Sequence, residues 1–152
     1  MSEPATAQIL RYELEIRIKA TAERVWAALT EETNAWWLAD FHMVGEGSVV
    51  KFDARAGGHL IETMAGGGSL LWYTVNMCIP QRSIHLVGHM APEWGGPATT
   101  MLELALVEGD GVTHLRVSDA LFGNVSASTA KSLEDGWRQL FGDGLGAYVE
   151  EG

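Results

Sequence analysis

The sequence predicts an α+β fold: an antiparallel sheet of six to seven strands packed against one long C-terminal α-helix, with two short helices after strand 1. Three observations carry that expectation. Apolar and charged residues alternate strictly near the N-terminus, the middle of the chain is a series of short apolar runs punctuated by glycine, and a broad apolar stripe at helical spacing closes the sequence. With 152 residues, 47% of them apolar and including six Trp, four Phe and three Tyr, residues 8–150 read as a single domain whose one core needs neither a disulfide nor a structural metal. Cys78 is the only cysteine, so no intrachain disulfide forms, which suits a reducing cytosol.

Over residues 8–19, Leu10, Tyr12, Leu14, Ile16 and Ile18 fall on one face and Arg11, Glu13, Glu15, Arg17 and Lys19 on the other, the signature of a half-buried antiparallel strand. Thr21 then offers a cap oxygen to a helix carrying Val25, Ala28 and Leu29, and Thr30 is a second cap candidate for a short helix running towards Trp36-Trp37. Residues 49–52 and 58–63 read as short strands around Ala54-Arg55-Ala56-Gly57-Gly58. Residues 70–79 follow the Gly66-Gly67-Gly68 loop, and Pro80-Gln81 turns the chain into a strand at 82–89. After the loop 91–97, the segments 99–107 and 112–119 form a hairpin through Glu108-Gly109-Asp110-Gly111, and residues 120–124 lead out of it.

Ser128 is the cap candidate for the last helix, whose stripe is Leu133, Trp137, Leu140, Phe141, Leu145 and Tyr148. Gly136, Gly142, Gly144 and Gly146 weaken it by roughly 1 kcal/mol each relative to alanine. Such a helix persists only when packed against something large, and the sheet is the one candidate.

Several local motifs resemble one known superfamily. Ala20-Thr21-Ala22-Glu23-Arg24-Val25-Trp26-Ala27-Ala28-Leu29-Thr30 is similar to the first strand-to-helix junction of START-like (SRPBCC) proteins, with Ala22 where a proline is usual. Trp36-Trp37, Phe52-Asp53-Ala54-Arg55-Ala56-Gly57-Gly58, Ile79-Pro80-Gln81-Arg82, Gly111-Val112-Thr113-His114-Leu115 and Gly136-Trp137-Arg138-Gln139-Leu140 resemble successive blocks of the branch named after the activator of heat-shock protein 90 ATPase, over roughly residues 16 to 148. The resemblance implies a helix-grip fold, in which a curved sheet wraps the C-terminal helix and encloses a pocket for a small lipid-like or aromatic molecule. It implies function only loosely, because the superfamily hosts lipid carriers, hormone receptors, cyclases and stress-associated proteins. A co-chaperone of that branch normally carries a further N-terminal domain, whereas the one domain here starts by residue 8, so chaperone activation is not expected.

Ten basic against twenty acidic residues give a net charge of −10, which repels phosphate backbones and anionic lipid, so no nucleic-acid partner is expected. Met1-Ser2-Glu3-Pro4 has no basic region, and no stretch nears the roughly 18 apolar residues of a membrane span. A cytoplasmic protein without membrane insertion is the expectation.

Choosing the strand parity that avoids charge places Leu102, Leu104, Leu106, Thr113, Leu115, Val117 and Asp119 inward and Glu103 and Arg116 outward. Asp119 is the anomaly: it either marks the solvated end of its strand or contacts a ligand at the cavity mouth. Ile84, Leu86 and Gly88 point inward on the same rule, leaving His85 and His89 outside and too far apart to share a tetrahedral metal. His42, His59 and His114 match no ligand spacing, so no metal and no cofactor are expected. Cys78 has no flanking base motif, no Gly-x-Ser-x-Gly elbow is present, and Gly66-Gly67-Gly68 lacks the Lys-Ser/Thr of a phosphate loop. No catalytic residue is assigned.

Aromatic side chains in or beside loops, with Trp137 on the last helix and the carboxylate of Asp119, supply the candidate site instead: Trp37, Tyr73, Trp94, Asp119, Phe122 and Trp137 as lining for a small apolar ligand. Trp94, among Pro92, Gly95, Gly96 and Pro97, is expected outside regular structure, as a lid or a partner anchor. Binding of an apolar molecule is the first expectation. A cyclase- or hydrolase-type enzyme using Asp119, Tyr73 or a histidine as acid or base is the second, and a homodimer or chaperone-associated protein contacting through Trp94 is the third.

Overall fold

Strict alternation makes Gln8–Ile18 the first strand, β1, and buries Leu14 and Ile18 while the charged face stays in solvent. This is seen in a computed structural model that describes residues 3–152; Met1 and Ser2, half of the N-terminal stretch read for a targeting signal, lie outside the described residues. Thr21 caps α1 (Ala22–Glu31), accepting from the Arg24 N–H at 3.2 Å, and Val25, Ala28 and Leu29 are buried.

The second short helix, α2 (Thr33–Trp36), starts later than its cap candidate suggests. Thr30 belongs to α1 and donates its hydroxyl back to the Trp26 carbonyl, while Glu32 at the cap position makes no side-chain cap bond. A single 3₁₀ turn, Ala39–Phe41, follows.

The remaining strands are β2 (Val49–Phe52), β3 (His59–Thr63), β4 (Ser69–Ile79), β5 (Ser83–Met90), β6 (Ala98–Gly109) and β7 (Val112–Gly123). They form one curved seven-stranded sheet in the order β1-β7-β6-β5-β4-β3-β2, with every neighbouring pair antiparallel. Asp110 and Gly111, both at positive φ, close the β6–β7 hairpin between the paired Gly109 and Val112, the backbone that a two-residue primed turn requires.

Two register shifts break the parity of β4, one between Leu71 and Tyr73 and one between Val75 and Met77. At the first, Trp72 is the extra residue. It has no opposite number on β3, and the bulge sends both Trp72 and Tyr73 towards the concave face, where unbroken alternation would separate them.

Ser126, not Ser128, caps the last helix by accepting from the Thr129 N–H at 3.2 Å. That helix begins as α3 (Ala127–Gln139), widens into π-helical turns over Leu140–Gly146 and ends as α4 (Ala147–Glu151). Trp137, Leu140, Phe141, Leu145 and Val149 are buried in the hollow of the sheet. Gly144 permits the close approach of the wide turns, since a Cβ there would stand 2.8 Å from the Trp36 carbonyl oxygen. At the far end Glu32 accepts from Arg24 Nη1 and from Tyr148 Oη, each at 2.6 Å, and so ties the helix to α1.

Candidate functional site

Aromatic side chains fill the middle of the hollow. Trp137 stacks on Phe141 with ring centroids 5.5 Å apart, Phe141 meets Trp36 at 6.1 Å, Trp36 meets Trp37 at 5.7 Å, and Trp37 sits edge-on to Trp72 at 5.3 Å. Only about 10 Å³ of open space remains among them, room for about one water molecule and none for a larger guest. The enclosed room expected between sheet and helix is therefore not central.

The available room lies at one end, as a half-open cavity of about 410 Å³. β4 contributes Leu70, Leu71, Trp72 and Tyr73, the ends of β5 and β6 contribute His89, Met90 and Thr100, and α3 contributes Leu133 and Trp137 one turn apart. Met43 and Trp94, about half exposed, complete the lining from two loops. Trp94 belongs to a 3₁₀ turn, Pro92–Trp94, where no regular element was expected. Its loop is held in place because Asn124 Nδ2 donates to the Gly95 and Gly96 carbonyls at 3.3 and 3.0 Å.

Gly88 makes room for the floor of this cavity. A Cβ there would fall 2.7 Å from Tyr73 Cε1, so the missing side chain lets the Tyr73 ring lie against β5. Tyr73 Oη is 3.2 Å from Thr100 Oγ1, and Thr100 Oγ1 donates to Asp119 Oδ1 at 3.0 Å. On its other side Asp119 Oδ2 accepts from Tyr12 Oη at 2.7 Å. Four side chains from β4, β6, β7 and β1 thus form one polar chain through the sheet's inner face.

Asp119 is buried and hydrogen-bonded, which corrects the strand-end alternative. β7 continues through Phe122 to Gly123, residues expected to lie beyond the strand, so Asp119 sits four residues short of its end. Burial pushes its pKa up, partly offset by the Tyr12 and Thr100 hydroxyls and the Ala120 N–H. Burial raises the Tyr73 and Tyr12 phenols as well, and the nearby Asp119 charge adds to both. The Trp137 indole N–H lies close enough to favour the charged form of Asp119 but makes no hydrogen bond.

Of the six residues proposed as lining, the structure brings together Tyr73, Trp94 and Trp137. Asp119 stands one hydrogen bond behind them, through Thr100. Trp37 is buried in the aromatic core, its Nε1 donating to the Phe41 carbonyl at 3.0 Å. Phe122 lies on the outer parity of β7, 57% exposed and away from the cavity. His85 and His89 fall on the outer parity of β5 as expected, and His114 pairs with Glu15 at 2.7 Å.

Sequence reasoning missed Glu62. It has no exposed surface, yet it is a carboxylate held by five hydrogen bonds: from the Met43 N–H to both of its oxygens (2.9 and 3.2 Å), the Val44 N–H (2.8 Å), Ser48 Oγ (2.6 Å) and Trp72 Nε1 (3.0 Å). Burial pushes its pKa up, but the donors prevail and hold it below the usual carboxylate range. Glu62 therefore pins the loop carrying Met43, and the Trp72 ring, at one wall of the cavity. Ser48 Oγ also contacts His42 Nδ1 at 2.8 Å, but its proton goes to Glu62 and the hydroxyl is buried, so this trio is a loop anchor and not a hydrolytic triad.

Comparison with known proteins agrees with this fold. The family model described as "Activator of Hsp90 ATPase homolog 1-like protein" matches residues 19–150. No curated protein matches in sequence. Among solved structures, the chain is similar to Mll3558 from Rhizobium loti (TM-score 0.70, 20% identity, covering 90% of this chain and 95% of that one). A protein from Rhizobium leguminosarum is similar at TM-score 0.71 and 16% identity, covering 97% and 98% of the two chains. Ara h 8.0201 is similar at TM-score 0.71 with 9% identity, covering 95% of this chain and 100% of that one. At these identities the likeness is one of fold.

Proposed function

Because the chain belongs to the family of proteins like activator of Hsp90 ATPase homolog 1, and a fold alone does not fix a function, we propose its function from the cavity: it binds a small apolar molecule. The observation that carries this is the 410 Å³ of room walled mostly by leucine, methionine and tryptophan, with Tyr73 and Thr100 as the hydroxyls of its floor. That volume lies within the range of small-ligand sites, and roughly 25 cal/mol is gained per Å² of apolar guest surface removed from water. Residues 8–150 act as one carrier domain working in the cytoplasm. No helix among the described residues is long and apolar enough to cross a membrane. The net charge of −10 argues against a polyanionic partner.

An acid–base role at the same site finds less support. Tyr73 is the nearest phenol, and its raised pKa makes it a poor proton donor at neutral pH.

Thermal-shift screening of an apolar compound library tests the proposal. A ligand at a hundred times its Kd stabilises by about 2.7 kcal/mol, a rise in Tm on the order of 5–10 °C for a chain of this size. Leu133→Trp, which fills the cavity from the helix side, should abolish the shift without unfolding the protein. A library that raises Tm for no compound, or that raises it equally in Leu133→Trp, refutes the proposal.

A further inference from the structure

The polarity of the hydrogen-bond chain under the cavity says what kind of apolar molecule fits. Asp119 Oδ1 accepts from Thr100 Oγ1, which uses the only hydroxyl proton Thr100 has. The 3.2 Å contact between Thr100 and Tyr73 is then made with the Tyr73 proton. Both floor residues are left with oxygen lone pairs and no free proton. This direction survives protonation of Asp119 at Oδ2, because a proton there would be shared with Tyr12 and leave Oδ1 an acceptor.

The walls offer an anion no compensation. No Lys or Arg is among the residues that line the cavity, and its one basic side chain is His89 on the exposed parity of β5. Trp137 Nε1, a buried donor without a partner, lies beside Asp119, so an anion drawn to that N–H also approaches a carboxylate.

Resting on the binding proposal above, we propose that the guest is an apolar molecule carrying a hydrogen-bond donor, a hydroxyl or an N–H, and that apolar carboxylates are rejected. The donor meets Tyr73 Oη, and its apolar body lies among Leu133, Trp137, Trp72 and Met90.

Displacement of the neutral dye Nile red by matched compounds tests this: decanol, decyl methyl ether and decanoate, and in parallel 2-naphthol, 2-methoxynaphthalene and 2-naphthoate, all at pH 8. Each donor should bind roughly five- to tenfold more tightly than its methyl ether, the range expected for one net hydrogen bond, and the carboxylates should bind weakest. Tyr73→Phe should bring donor and ether to equal affinity while still binding the ether, which shows that the variant is folded. Thr100→Val releases the Tyr73 proton towards the guest and should shift preference to the ether. Carboxylates binding as tightly as the donors, or a donor preference that persists in Tyr73→Phe, overturns the inference and leaves the binding proposal standing. Nile red failing to bind at all overturns the binding proposal, and this inference with it.

Discussion

Tyr12 and Asp119 stand directly opposite one another across the β1–β7 ladder, and the phenol donates to the carboxylate at 2.7 Å. Asp119 nevertheless has no cationic partner among its described hydrogen bonds and ion pairs, and its pKa is raised. The native state therefore holds the Asp119 proton more tightly than the unfolded chain does. Its contribution to stability is full below the ordinary carboxylate pKa and declines as pH rises through the raised value. Asp119→Asn keeps an acceptor for Thr100 and removes the charge. Urea unfolding from pH 4 to pH 8 should show the variant gaining on the parent as pH rises, and matching or exceeding it by about 1 kcal/mol at pH 7. A variant that loses ground as pH rises would contradict this account.

Glu62 has the opposite sign. Its pKa is lowered, so its stabilisation is present above the ordinary glutamate pKa and disappears as pH falls through the lowered value. Glu62→Gln replaces an oxygen that accepts several donors with an NH₂ that faces them, at a cost of about 2–3 kcal/mol at pH 7. The gap between variant and parent should close in acid. Because Trp72 loses its partner, the change should also appear in tryptophan emission.

Gly88→Ala places a methyl group where Tyr73 Cε1 and the Trp72 carbonyl oxygen already lie within 2.8 Å. Overpacking of this kind costs about 1–3 kcal/mol. The displaced Tyr73 ring should also weaken binding of the compounds found in the thermal-shift screen, measurable by titration calorimetry. Unchanged stability and affinity would show that the ring has another way to settle.

Trp94→Ala separates affinity from stability. Trp94 is 48% exposed on a loop that backbone and Asn124 contacts already hold, so unfolding should change by no more than about 0.5 kcal/mol. Ligand affinity should fall severalfold, seen as faster dissociation, because the ring covers the cavity rim. An unchanged dissociation rate would remove Trp94 from the site.

The fold was legible where one period ran unbroken. Leu10 to Ile18, Leu102 to Leu106 and Thr113 to Val117 each keep a single parity, and the structure buries the face that avoids charge. The site was legible in part, because Tyr73 and Trp94 announce themselves as large aromatics near loops and Trp137 as one on the apolar stripe of the last helix. Two things were hidden. The bulge at Trp72 changes parity with no local mark in the sequence, and it delivers a second aromatic to the cavity wall. Glu62 looks like any charged residue on a short strand, since its donors come from positions 43, 44, 48 and 72 and only the folded chain gathers them. Asp119 was noticed, but Phe122-Gly123 resembled the start of a loop, which made a mid-strand carboxylate look terminal.

The wide turns of Leu140–Gly146 have a consequence for the chain's tolerance of length change. A π-type turn holds an additional residue, so the segments before and after it are out of phase by about 100° compared with an uninterrupted α-helix. Leu133 and Trp137 face the cavity from one side of that phase step, and Tyr148 reaches Glu32 from the other. Shortening Gly142–Gly146 by one residue would restore ordinary winding and swing Tyr148 off its carboxylate while leaving the cavity wall untouched. The number of residues in this stretch, together with the missing side chain at Gly144, gears the helix so that both of its ends engage at once.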